Sequence, residues 1–249
     1  MEQRPSDFFL GIGYFVRGVR WFARQRRLWW LGVVPALITL LLYAVALGVL
    51  LWWLDDLARW VTPFADHWSR DARTAAHLLA GLAVLGAAVY LAAVTFTAVA
   101  LMIGDPFYEK LAERVEDAHG GAPPEIGGNV LVQGWRGVRE GVATVLVTAC
   151  LGVPLFVAGF VPAVGQTVVP VLAACVSGFF LTVELTAFAL VRRGLALRDR
   201  IRVLRRHLPL TVGFGLAVFV AFLIPLGAVV AMPGAVAGAT LLARERLSS

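Results

Sequence analysis

Phe160-Val-Pro-Ala-Val-Gly-Gln-Thr-Val-Val-Pro170 lies inside a block, Gly141 to Val191, whose single charged residue is Glu184. Two prolines, a glycine and the polar pair Gln166-Thr167 break what would otherwise be one apolar helix, and the reading of that break decides the fold. Proline removes a backbone donor and its ring clashes with the preceding turn. A second stretch has the same spacing: Leu223-Ile-Pro-Leu-Gly-Ala-Val-Val-Ala-Met-Pro233 again has two large apolar residues, a proline, seven residues and another proline. The match suggests two related helix hairpins that re-enter the membrane. The alternative is that both blocks are ordinary spans with kinks.

Composition places both stretches in a bilayer. Of 249 residues 59% are hydrophobic and 15% charged, with a mean hydropathy of +0.80, against about 45–50% apolar and about 25% charged in soluble domains. The apolar residues come in blocks, several longer than the roughly 18 that mark a spanning helix. Cys150 and Cys175 sit inside such blocks and read as small hydrophobes, so neither a disulfide nor a metal site is expected. No cofactor is implied. His67, His77, His119 and His207 are scattered, and no phosphate loop, zinc motif or nucleophile elbow occurs, so an enzyme is not expected. So apolar a chain is not expected to bind nucleic acid.

Along the chain, residues 8–27 read as an amphipathic helix with Arg17, Arg20, Arg24 and Arg27 on one stripe and Phe8, Ile12, Phe15, Val19 and Phe22 on the other. Such a helix can lie in the membrane interface, its arginines toward anionic headgroups. Residues 28–54 and 78–104 are uncharged blocks of 27 residues each, about 40 Å of helix apiece, and read as transmembrane helices. Trp29-Trp30 and Trp52-Trp53 flank the first as aromatic belts. Asp105-Pro106 is expected to open a new element, and residues 105–140 read as cytoplasmic amphipathic helices interrupted at Gly120-Gly-Ala-Pro-Pro124. Blocks 141–191 and 208–243 are the proposed helix hairpins, separated by a stretch with seven arginines. The expected fold is therefore a single all-α membrane domain.

Of 22 basic residues, only Arg59, Arg70 and Arg73 lie in the loop 55–77. The positive-inside rule then puts both termini in the cytoplasm of a multi-pass plasma-membrane protein. Both hairpins must start and end there. In the second, legs of 15 and 11 residues (Leu210–Ile224 and Pro233–Ala243) give about 22 and 16 Å, short of a core of about 30 Å. The intervening Leu-Gly-Ala-Val-Val-Ala-Met has no polar side chain, so the turn reads as buried within an assembly.

The order Gly11 to Gly18 with Tyr14-Phe15, Pro35-Ala-Leu, Pro106-Phe107 to Glu116, Val161 to Leu172 with Gly165-Gln-Thr, Ile224-Pro225, Met232-Pro233 and Gly238-Ala-Thr240 resembles the CysZ-like sulfate permeases of the wider etoposide-induced protein 2.4 family. The resemblance covers most of the chain. It implies two long transmembrane helices, hairpins that penetrate part of the bilayer, a homo-oligomer, and uptake of a small inorganic anion, sulfate. In those permeases the anion site is a Gly-hydrophobic-Arg stretch at the start of the first long helix. Here Arg26-Arg27-Leu28 stands nearby without the glycine, and Ala187-Phe188-Ala189 replaces an Asp-Tyr-Pro that tends to follow the acidic residue kept here as Glu184.

The candidate anion path is thus Arg26, Arg27, Gly165, Gln166, Thr167 and Glu184. Each has a plainer reading. Arg26 and Arg27 either present substrate at the entrance or anchor a span. Gly165-Gln166-Thr167 either opens a half-helix whose N–H groups and dipole attract an anion or closes a turn. Glu184 either faces the path or pairs near the interface with Arg192, two turns away. The wider family also has members not regarded as permeases, so a membrane scaffold or assembly factor is the second functional reading.

Overall fold

The computed structural model describes residues 5–121, 130–161, 164–224 and 226–247. It is about 90% helical, and no strand occurs among the described residues. Pro162, Pro225 and the Ala-Pro-Pro at 122–124, on which parts of the sequence reading rest, lie outside the described residues. The helices are α1 (Pro5–Arg24), α2 (Trp29–Val61), α3 (Arg70–Asp117), α4 (Val130–Ala158), α5 (Val164–Leu185), α6 (Ala187–Leu190), α7 (Leu197–Arg206), α8 (Leu208–Leu223) and α9 (Gly227–Leu242), followed by a π-type turn at Ala243–Leu247. Five helical stretches are long and apolar enough to cross a membrane, and α7 with α8 would add a sixth across a 105° bend.

By internal packing the chain divides into two units. One holds residues 33–105, the greater part of α2 and α3. These two run antiparallel: the Tyr43 and Thr95 hydroxyls lie 2.6 Å apart, Tyr43 stacks near Phe96, and Gly81 faces Leu54 and Ala58. Outward-facing leucines and valines remain exposed along both helices. A helix apolar all round is stable only with lipid or protein against every face. Pro35 inside α2 removes one helix hydrogen bond, and Thr39 Oγ1 donates 2.8 Å back to the Pro35 carbonyl, one turn earlier.

Asp105-Pro106, expected to start a helix, instead lies inside α3, which runs 48 residues without interruption. Proline's missing N–H costs one hydrogen bond, and strongly helical sequence on either side carries the chain through.

The other unit comprises residues 1–32 and 106–249. Here α1 packs along both α8 and α9, and α5 lies against α8. The buried stripe of α1 is Gly11, Tyr14 and Gly18, at the i, i+3, i+7 spacing of one face, while Phe15 and Phe22 are half-buried. Glycine is needed there for close approach: a Cβ on Gly18 would sit 2.2 Å from the Gly238 nitrogen. The contact of α5 with α8 is as tight, since a Cβ on Gly215 would lie 1.8 Å from the Gly178 oxygen. Small residues that bring backbones together are the usual solution for helices packing without a hydrophobic driving force.

The proline spacing read from the sequence reappears as structure. Pro170 is the seventh residue of α5 and Pro233 the seventh of α9. The turn expected over 226–232 is shorter than that: α9 begins at Gly227, after Leu226 at φ 61°. Both legs of this hairpin are therefore 16-residue helices, about 24 Å long. A non-glycine residue at positive φ is uncommon and tightens the reversal.

Candidate functional site

Arg26 and Arg27 occupy the 3-10 turn Arg26–Leu28 that joins α1 to α2. Gln25, at φ −92° and ψ 69°, ends α1, so Arg27 leaves the stripe that Arg17, Arg20 and Arg24 share. Both arginines are exposed, and neither has a salt-bridge or hydrogen-bond partner among the described residues. They form a free double positive charge at the foot of α2.

Gly165, Gln166 and Thr167 form the first turn of α5. Gly165 is buried where α4 ends and α5 begins; its N–H donates 2.7 Å to the Val161 carbonyl, and a Cβ would meet the Gly159 oxygen at 2.0 Å. Gly165 is thus a packing residue whose amide is already used. Gln166 and Thr167 are exposed on that turn. Glu184 is exposed as the next-to-last residue of α5, without a partner among the described residues. Arg192, the partner considered for it, lies 3.7 Å from Glu113 instead.

Helical geometry links these positions. At 3.6 residues per turn, Ser177 is about three turns beyond Gln166 and Glu184 is five, so the three share one face over about 27 Å. Beside it α4 and α5 enclose a cleft of about 430 Å³, lined mainly by apolar groups, with Thr148 and Ser177 supplying hydroxyls. The arginine pair and the α5 face are separate features, joined by no hydrogen bond or ion pair among the described residues.

A buried ionic assembly escaped the sequence reading. Glu116, on the last turns of α3, is 1% exposed and accepts from Arg193 Nη1 at 2.7 Å and Nη2 at 3.1 Å. Arg244 of the π-type turn donates to the same carboxylate at 2.9 Å and to the Gly121 carbonyl at 3.2 Å. The next residue, Glu245, points the other way, accepting from Tyr14 Oη at 2.7 Å and Arg17 Nη2 at 2.8 Å. Burial, together with the Glu245 carboxylate, raises the Tyr14 phenol above its ordinary pKa, and the hydrogen bond to Glu245 raises that of Arg17. Arg200, also buried, pairs with Glu140 across α7 and α4. Glu113 and Glu116 look from sequence like the wet face of a surface helix; only the surplus of arginine at 192–193 and 244 hinted at partners. Charge balance cannot say which arginine meets which carboxylate.

A glycine-packed, all-helical body with a free arginine pair before its first long helix is what the comparisons with known proteins bear on. The model of the family described as sulfate transporter CysZ/etoposide-induced protein 2.4 matches residues 14–233. The chain belongs to this family. Among curated members, the sulfate transporter CysZ of Pectobacterium atrosepticum is 28% identical over 241 residues, covering 95% of this chain and 85% of that protein. The sulfate transporters CysZ of Salmonella typhi and Salmonella typhimurium are each 25% identical over 247 residues, covering 93% of this chain and 90% of theirs. Membership therefore extends over the first long helix, the proline-bearing helices and most of the buried ionic assembly. It makes the chain a multi-pass membrane protein of a transporter family.

Proposed function

We propose that this protein carries a small inorganic anion, sulfate, across the plasma membrane. The observation that supports it most is the match, over more than nine-tenths of the chain, to relatives named sulfate transporter CysZ. In this reading Arg26 and Arg27 concentrate the anion at the foot of α2, since exposed charges act as steering groups. Gln166 and Thr167 meet it at the positive end of the α5 dipole, and Glu184 marks the far end of the same face as an acid that sets charge selectivity. Both termini lie in the cytoplasm, the α4–α5 and α8–α9 hairpins penetrate only part of the bilayer, and the protein works as a homo-oligomer.

The test is uptake of labelled sulfate into liposomes holding the purified protein. Wild type should load sulfate above empty liposomes, and Arg26→Gln with Arg27→Gln should raise the half-saturating concentration about tenfold, equivalent to about 1.4 kcal/mol. Absence of both flux and binding over a panel of anions would overturn the proposal and leave a scaffold or assembly role for the same fold.

A further inference from the structure

The stretch between α6 and α8 carries seven arginines, from Arg192 to Arg206. Three are consumed inside the fold: Arg192 pairs with Glu113, Arg193 with Glu116 and Arg200 with Glu140. The other four, Arg198, Arg202, Arg205 and Arg206, are exposed, and all belong to α7. At about 100° per residue they fall within one arc of about 100°, opposite the buried Arg200 and Leu204. Arg202 is partly neutralised by Asp199 at 2.8 Å. Arg198 and Arg205, two turns apart on the same stripe, have no ion pair or hydrogen bond among the described residues.

The fold fixes the depth of this face. The 16 residues of α8 carry no charge, and α7 meets them at 105°, so a helix that enters lipid is preceded by one that runs nearly along the membrane plane. The bend is held from both sides. Thr182 Oγ1 donates 2.9 Å to the Thr211 carbonyl, and Thr211 Oγ1 lies 3.1 Å and 3.0 Å from the Leu204 and His207 carbonyls, its proton shared between the last turn of α7 and the hinge. Arg200 ties the same helix to α4 through Glu140. Exposed large apolar side chains border the stretch at Val191 and Leu208, and none occurs between them. Apolar surface that ends on both sides of a basic helix marks the boundary between acyl chains and headgroups.

Charge and hydrogen-bond geometry select the headgroup. A guanidinium presents a planar fork of donors that matches two phosphate oxygens. A zwitterionic lipid brings a cation along with its phosphate, and four arginines against the single Asp199 repel it. A head of phosphate and uncharged glycerol carries no such cation. At this depth lipid phosphates are the neighbouring anions, which sets lipid ahead of a soluble polyanion. We infer that the exposed face of α7 is a binding surface for an anionic phospholipid, phosphatidylglycerol, whose phosphates are held by Arg198 and Arg205.

The test is native mass spectrometry of the full-length protein in detergent with equal amounts of phosphatidylglycerol and phosphatidylethanolamine of identical acyl chains. The wild type should retain phosphatidylglycerol in preference. Arg198→Gln with Arg205→Gln should lower that retention about fivefold for each arginine removed and leave phosphatidylethanolamine unchanged. Both side chains are exposed, so the variants should fold; if the double variant does not, the single variants decide by the same measure. Equal retention of the two lipids by wild type, or unchanged retention by the variants, would overturn the inference. So would an equal loss from Arg70→Gln with Arg73→Gln, which removes the same charge from the first turn of α3. Stripping of the lipid by millimolar sulfate but not by chloride at equal ionic strength would overturn it by making α7 an inorganic-anion site. Dissociation of an oligomer by the variants with lipid retained would overturn it by placing a second copy on this face.

Discussion

Among individual residues, the glycines separate into two groups that the sequence does not distinguish. Gly13 and Gly18 both lie on α1, yet a Cβ on Gly13 has nothing within 4 Å while one on Gly18 collides with the α9 backbone. Gly18→Ala should destabilise the protein by about 1–3 kcal/mol through overpacking, and Gly13→Ala should be neutral or stabilise by up to about 1 kcal/mol through helix propensity; reversible unfolding in mixed micelles compares the two. Glu116 is as sharply determined. Glu116→Gln leaves Arg193 and Arg244 without their shared counter-charge in a buried setting and should cost about 3–5 kcal/mol in the same measurement. Sequence reading took Glu116 for a solvated residue because amphipathic spacing shows which face is polar, not what covers it.

For helices and hairpins, periodicity and block length served well where a segment is governed by its own composition. The two long apolar blocks are the cores of α2 and α3, and the paired prolines fall at matching places in α5 and α9. Local punctuation served less well: Asp105-Pro106 and the apolar turn before Pro233 are both absorbed into helices. Proline forbids one hydrogen bond, and tertiary packing decides whether the helix survives its loss. For hairpins that stop within the bilayer, single cysteines at Phe160 and Leu226, in a background with Cys150 and Cys175 replaced, should resist an impermeant thiol reagent from either side. Labelling of both from the periplasmic side would show complete crossings.

For the molecule as a whole, class was legible and assembly was not. Composition alone dictates a membrane protein, and the residue order carried the family. That α1 packs along α8 and α9, rather than being explained by its own arginine and phenylalanine stripes, depends on partners some two hundred residues away. The candidate path was legible only as separate points: the structure puts Gln166 and Glu184 on one face and leaves Arg26 and Arg27 apart. The proposed orientation predicts that reporter fusions at either terminus are active only in the cytoplasm, whereas one inserted in the loop 55–77 is active only outside.

The reach from α1 to the π-type turn has a consequence for biogenesis. Arg17 and Glu245 are 228 positions apart, so at about 5–20 residues per second the ribosome needs on the order of 10–50 s to supply the partner of the first helix. Residues 33–105 need no such delay, because they form a compact unit of their own. Throughout that interval the Gly11, Tyr14 and Gly18 face of α1 must be sheltered by lipid or an insertase, and the nascent chain is most open to misassembly and proteolysis until its final helix emerges.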